Sequence, residues 1–324
     1  MKKEAISCVL ILALIFSTVF SNAAVVFANP VDLEVAATEL QGEGTEANPY
    51  KINNVEELIL FRDSVNKGET KYNAEGVYVA LGADIDMADV DWSVNIGDDC
   101  SATFDGIFDG KGYTIKNLNS KETAAKGDGY ICTGLFGAIY GSAVVKNFTI
   151  ENASIDTGDF VGNNAGAVVG FAYNATGSVE NVKVTGVDID AKNVTGTGAI
   201  VGYSYGGNLI VKDCTVENGV ITGAAYVGGV IGYAGGKSVV EDCTVQDVDV
   251  NATSCAAGGV AGIMLDGGSA TGNTVENLDL VSAKEFWKNS AGIEVGCIIN
   301  SITVAGTTYK NVTANGAETD VIVG

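Results

Sequence analysis

Three kinds of side chain in this sequence could do chemistry: aromatic rings in a repeated column, carboxylates in close pairs, and thiols. The rings follow a recurring glycine, with Phe171, Tyr203 and Tyr233 directly after it and Tyr173 and Tyr205 two residues further on. Facing outward, they would form a row of flat rings suited to stacking against sugars. Facing inward, they would be a core stack whose hydroxyls need partners. Apolar residues occupy both registers of this stretch, so its period does not choose between the two readings.

Two Asp or Glu side chains at the right separation are enough to hydrolyse a glycosidic bond. The pairs that qualify are Asp188 with Asp190, Asp247 with Asp249, and Asp249 with Asp279, the last in register one repeat apart. Stacked that closely, Asp249 and Asp279 repel each other, hold a cation such as calcium, or point into water. Calcium is the one cofactor the pattern suggests. Asp98 and Asp99 have no second constellation beside them. The chain has no histidine, which removes the H-E-x-x-H zinc motif and the histidine-based nucleophilic arrangements. Its one arginine, Arg62, falls on an expected helix. An enzyme is therefore the less favoured reading.

Such residues need elements to position them, and the repeat supplies these. Residues 227–247 restate a pattern found on both sides, and the second glycine of each unit falls at Gly137, Gly170, Gly202, Gly232, Gly262 and Gly296. The period is 30 to 34 residues, which signals stacked units. Each unit holds two short apolar strands separated by turn formers, with no sustained helical period. A unit of this kind cannot bury its apolar face alone, so it must stack strand over strand. The expected fold is all-β, a right-handed parallel β-helix (solenoid) with a short N-terminal capping helix.

The second strand alternates. Phe148/Ile150, Val182/Val184, Cys214/Val216 and Cys243/Val245 take the inward face, and Thr149, Lys183, Thr215 and Thr244 the outward one. Cys214 and Cys243 would then share an inward rung in adjacent coils, as stacked thiols or as a bridge. After the strand come Asn152, Gly186, Asn218, Asp247 and Asn277, residue types that tolerate a left-handed corner. The outward threonines, with Thr274, are interleaved with Glu151, Glu217, Gln246 and Glu276, so ordinary strand propensity explains them better than an ice-binding plane.

In chain order, residues 1–28 read as a secretory signal, with Lys2 and Lys3, an apolar run, and Val26-Phe-Ala28 as the cleavage site. A polar lead-in covers 29–44. The N-terminal cap and first coils cover 45–133, the repeated G-x-x-G coils 134–303, and a C-terminal coil and cap 304–324. Asn54 followed by Glu57 marks a helix start, Leu58, Phe61 and Val65 share a face, and Gly68 is the stop. Six cysteines follow the signal: Cys100, Cys132, Cys214, Cys243, Cys255 and Cys297. In an exported chain, an even number permits disulfides. Glu294 is out of place, a carboxylate at a rung that is apolar in other units.

Phe104-Asp-Gly-Ile-Phe-Asp-Gly-Lys-Gly-Tyr-Thr-Ile-Lys-Asn-Leu118, with Asp84-Ile-Asp86, Trp92 and Gly134-Leu-Phe-Gly137, resembles the opening segment and first repeat of the GLUG-motif surface proteins. These bacterial extracellular proteins are similar in fold to the right-handed parallel β-helices of the pectate-lyase-like superfamily. The resemblance spans roughly residues 45–315 and implies the fold more than an activity, because that superfamily hosts lyases, hydrolases and adhesins alike. Lyase chemistry in it would want an arginine on the solenoid wall, whereas Arg62 is on the cap.

The net charge of −22 argues against nucleic acid and anionic lipid as partners, and no second long apolar run suggests a transmembrane span. The favoured reading is a secreted or cell-surface recognition or adhesion module whose partner is an extracellular glycan or a host or cell-surface component. The alternatives are a polysaccharide-degrading β-helix, lyase or carboxylate-only glycosidase, and a purely structural spacer.

Overall fold

The computed structural model describes residues 39–98, 102–121, 132–159, 164–265, 267–283 and 291–324. The expected signal at 1–28, most of the lead-in, Asp99 and Cys100 lie outside the described residues. The repeat folds into a parallel β-solenoid of about 8 turns, with one helix, α1 (Val55–Asn66), among the described residues. None of the described helices is long and apolar enough to cross a membrane.

One coil shows the plan. A lateral strand, Ile231–Ala234, is followed by a corner at Gly236, a short strand Val239–Glu241, a corner at Asp242, and the long strand Thr244–Ala252, which bends at Asp247. A third short strand, Ala256–Gly258, leads into the next lateral strand, Ala261–Met264. Stacked in parallel, these pieces make one long sheet and two narrow ones, which are the lateral sheet and a glycine-rich sheet beside it.

The corners are left-handed. Asn152, Gly186, Asn218, Asp247 and Asn277 have φ of 57°, 68°, 56°, 54° and 55°, in the region that costs most residues 1–2 kcal/mol and that Gly, Asn and Asp tolerate. Two more columns of the same kind, Asn181, Asp213 and Asp242, and Asn174, Gly206 and Gly236, give each central coil three left-handed bends.

Side-chain amides link the corners. Asn311 donates to Asn277 at 2.8 Å and Asn277 to Asp247 at 2.8 Å, while Asn181 donates to Asn147 at 3.0 Å and Asn147 to Asp109 at 3.0 Å. Every donor points one coil toward the N-terminus, and each run ends on a carboxylate, which only accepts. Burial pushes the Asp109 carboxyl up, but hydrogen bonds from Lys111 and Asn147 and the Lys111 ammonium outweigh it and hold the group below its ordinary value.

The core lies between the sheets. Phe148, Val182, Cys214 and Cys243 stack in one inward column and Ile150, Val184, Val216 and Val245 in another, all buried. Cys214 and Cys243 are free thiols that donate to the carbonyls of Lys212 and Glu241 at 3.2 and 3.3 Å. Hydrogen bonding with Cys214, then burial, pushes the Cys243 thiol far up, which keeps Cys243 a neutral thiol.

The recurring glycine has a steric cause. The glycine-rich strands pack backbone to backbone against the lateral strands, and a Cβ on Gly232 would lie 2.2 Å from Thr197 N and 2.6 Å from Gly202 O. Any side chain there would force the two sheets apart.

Helix α1 closes the N-terminal end. Asn54 Oδ1 accepts from Glu57 N at 2.9 Å, and the Glu57 carboxylate reaches back to Asn53 N at 2.6 Å, a capping box displaced by one residue. Phe61 packs on Phe104 and Phe108. Gly68 N bonds to Val65 O and Glu69 N to Ser64 O, the paired closure of a Schellman end. Arg62 lies 4.9 Å over Trp92 and pairs with Asp63, so its role is in the cap. At the other end Thr308–Ala314 turns through Asn315 and Gly316 into an antiparallel strand, Ala317–Glu318.

Candidate functional site

The aromatic column faces outward. On each lateral strand the residue between the two ring positions points into the core: Ala172, Ser204 and Ala234 are buried inside, so Phe171, Tyr203 and Tyr233 project from the outer side, as do Tyr173 and Tyr205. This settles the choice the apolar pattern left open. Parity along the strand breaks at the glycine, which drops out of the pairing between Val201 and Tyr203, leaving Val201 and Ser204 both inside.

Register extends the constellation beyond the residues singled out from sequence. Tyr140 pairs with Tyr173 and Tyr173 with Tyr205, forming an outer row. Tyr140 lies three residues after Gly137, the spacing that gives Tyr173 and Tyr205, and was legible on that ground. Tyr226 joins from the glycine-rich sheet, 5.6 Å from Tyr233. Its strand carries no repeated aromatic, so nothing in the pattern marked it. The inner row, Phe171, Tyr203 and Tyr233, is partly sheltered between the two narrow sheets, where Phe171 forms a small apolar cluster with Cys132 and Ala138.

The rings stack mainly on one another. Tyr203 and Tyr233 lie parallel within 4° at 4.0 Å, so each shields a face of the other. Tyr173 and Tyr205 are parallel within 3° at 6.5 Å, and Tyr140 is 6.0 Å from Tyr173 at a tilt. What this surface offers is ring edges, hydroxyls and the uncovered faces at the ends of the rows. Tyr140 is 41% exposed and Tyr205 53%. Burial, then the hydrogen bond with Tyr233, pushes the Tyr203 hydroxyl well above the usual phenol range, and burial raises Tyr226 as well. The neighbouring thiols of Cys255 and Cys297 are also pushed up by burial. The patch can exchange hydrogen bonds through its hydroxyls and cover apolar surface with its rings.

The carboxylates do not converge. Asp249 and Asp279 stand in register, both exposed, with Val220 on one side of the column and Thr313 on the other. Asp279 accepts from the Thr313 hydroxyl. Asp188 lies in the same column beyond Val220, and Asp190 is paired with Lys192 at 2.6 Å. Asp247 is the terminal acceptor of an amide run, and Asp98 accepts from Asn95 N within its loop. Among the described residues no three His, Cys, Asp or Glu side chains come together as a metal site would require. The threonine column carries Lys183, which pairs with Glu217 at 2.7 Å, and Glu276 pairs with Lys310.

Comparison with known proteins agrees with this architecture. The GLUG motif matches residues 223–251, which take in a glycine-rich strand, a lateral strand, the short strand after it and nearly all of the long strand Thr244–Ala252. Halomucin from Haloquadratum walsbyi (strain DSM 16790 / HBSQ001) is 32% identical over 191 residues, 56% of this chain, which spans about 2% of that protein's length. The crystal structure of a protein from Bacteroides ovatus described as a candidate immunoglobulin A1 protease superposes with a TM-score of 0.66 at 21% identity, covering 87% of this chain and 83% of that one. The chain is thus a β-solenoid that carries a GLUG motif, similar over part of its length to halomucin and in fold to the Bacteroides ovatus protein.

Proposed function

We propose that this chain is an extracellular recognition module without catalytic activity and that its lateral tyrosine face engages glycan. The observation that carries the reading is the outward row Tyr140, Tyr173 and Tyr205 beside the sheltered rings of Tyr203, Tyr226 and Tyr233. Tyrosine supplies apolar area and a polar tip at low conformational cost, which suits ligands that alternate C–H faces with hydroxyls. A halomucin and a candidate immunoglobulin A1 protease among the similar proteins support an extracellular setting. Asp188, Asp249 and Asp279 stand on the long sheet and the tyrosines on the lateral one, which supports binding over hydrolysis.

The test incubates the purified chain, with calcium, with a panel of neutral and acidic polysaccharides. Retention without release of reducing ends or unsaturated products, weakened by Tyr173→Ala and Tyr203→Ala, is the expected result. Product release would sink the non-catalytic reading and direct mutation to Asp188, Asp249 and Asp279. Absence of both retention and products across the panel would leave a structural spacer.

A further inference from the structure

The outer tyrosine row has a charged neighbour at its N-terminal end. Phe104 pairs with Ile139, and Tyr140 N bonds to Phe104 O at 2.8 Å, so the column reads Asp105, Tyr140, Tyr173, Tyr205. Phe104 and Ile139 are both buried, and alternation along the strand sends Asp105, partly exposed, out on the tyrosine side. Ser142 N donates to Asp105 Oδ1 at 3.0 Å, and a Cβ on Gly141 would lie 2.6 Å from the same oxygen. The carboxyl is thereby held against the corner that ends the Tyr140 strand. One coil earlier comes Glu75, exposed in a turn. Asn73 ties that turn to the Asp105 strand by donating to Thr103 O and accepting from Asp105 N, both at 2.8 Å.

We propose that Asp105, with Glu75 beside it, makes the tyrosine face selective for glycans with free amino groups, the ammonium of one sugar sitting at the Asp105 end of the row. This rests on the glycan reading above and adds the class of sugar. The strands of the two narrow sheets contain no charged residue. A ligand lying along the rings therefore meets charge first at the border where Asp105 stands. Among the described residues Tyr140 has a ring neighbour in Tyr173 alone, and its other side belongs to the coil of Asp105. An ammonium there meets a carboxylate and an aromatic ring together, and both attract a cation. Burial pushes the Asp105 carboxyl up and the charge of Glu75 adds to this, against the Ser142 hydrogen bond, with no lysine or arginine to offset them. A cation relieves that repulsion, a neutral hydroxyl leaves it, and an acidic sugar adds to it. The net charge of −22 acts in the same sense at longer range.

The experiment measures, by titration calorimetry in slightly acidic buffer, binding of the full chain to two tetramers with one β-1,4 backbone, glucosamine and N-acetylglucosamine. Amine and acetamide occupy the same position and differ in charge. Tetralysine serves as a cation that is not a sugar. The expected result is binding of the glucosamine tetramer about tenfold tighter than its acetylated counterpart, a preference that Asp105→Asn cuts to about twofold. The acetylated tetramer should bind Asp105→Asn as it binds the parent. Glu75→Gln, in an exposed turn, should lower the preference about threefold, and it decides the matter where Asp105→Asn fails to fold. Asp320→Asn, which removes an exposed charge near the C-terminus, should leave the preference unchanged. Circular dichroism shows that each variant is folded.

Equal affinity for the two tetramers, or a preference that Asp105→Asn and Glu75→Gln leave intact, would overturn the assignment while leaving glycan recognition in place. A preference lowered as much by Asp320→Asn would overturn it in favour of overall charge. Binding of tetralysine with both tetramers silent would overturn it in favour of a basic peptide. Failure of both tetramers and of every polysaccharide in the panel above would overturn the amino-sugar and the glycan readings at once.

Discussion

Asn277 hands its amide proton to the Asp247 carboxylate one coil earlier, at 2.8 Å, and itself accepts from Asn311 at the same distance. Its φ of 55° places it at a left-handed corner, so the residue serves both the bend and the link between coils. Asn277→Ala should cost about 1–2 kcal/mol, combining the conformational penalty with the lost hydrogen bonds. Asn277→Gly keeps the bend and should cost less. Urea unfolding of the two variants separates the contributions, and equal losses would show that the amide run matters more than the corner.

Two glycines should respond very differently to alanine. At Gly232 the new Cβ would lie 2.2 Å from Thr197 N, and neither sheet can give way without repacking, so Gly232→Ala should cost about 3 kcal/mol. At Gly68 the Cβ meets open space and only the φ of 72° is strained, for about 1–2 kcal/mol. Denaturation midpoints of the two variants in one buffer check the order.

Glu294 is fully buried at a rung that is apolar in the other coils, where its Oε1 accepts from Asn273 Nδ2 at 2.6 Å. Burial pushes its carboxyl above the ordinary 4.5, against the opposing effect of the Asn273 hydrogen bond and the nearby Thr307 hydroxyl. The folded value is therefore the higher one and the native state holds the proton more tightly. Its contribution to stability is fully present below the unfolded value and is lost as the pH rises through the folded value. Glu294→Gln should remove this loss and stabilise the last coils by about 1–3 kcal/mol at neutral pH. Unfolding curves between pH 4 and 8 test it, and a variant that tracks the parent at every pH would refute the assignment.

Cys214 and Cys243 should resist a thiol reagent in the folded chain and react once it is unfolded, because both are buried. Cys243→Val, close in volume, should cost less than about 1.5 kcal/mol. Mass spectrometry after labelling decides, and rapid modification of either thiol under native conditions would contradict the inward register.

The cysteine rung was legible because Thr215 and Thr244 alternate with it, and a polar partner at every second position fixes which face is buried. The left-handed corners were legible for a similar reason, since residue type there follows directly from φ. The direction of the tyrosine column was not. Val201 and Tyr203 are two residues apart yet take opposite sides, because the pairing skips Gly202, and no alternation survives such a break. Glu294 was visible as an anomaly. Its partner Asn273 was hidden because it occupies the inward column held by Cys214 and Cys243 in earlier coils, where an amide gains meaning only from the carboxyl it meets. Tyr226 required knowing that two separate strands lie side by side.

The two described ends of the solenoid differ, with a packed helix at one and, at the other, a two-residue hairpin strand followed by residues 321–324 bonded along the last coil. Each coil pairs only with its immediate neighbours, so tension between the ends has no long-range contact to break first. Under load the C-terminal end is expected to give way before the helix, with the coils then peeling in sequence from that side. A coil of about 30 residues releases roughly 100 Å of extended chain, so stretching a single molecule should produce a staircase of similar steps in place of one abrupt rupture. Such a device absorbs mechanical work gradually while the coils nearest the helix remain wound.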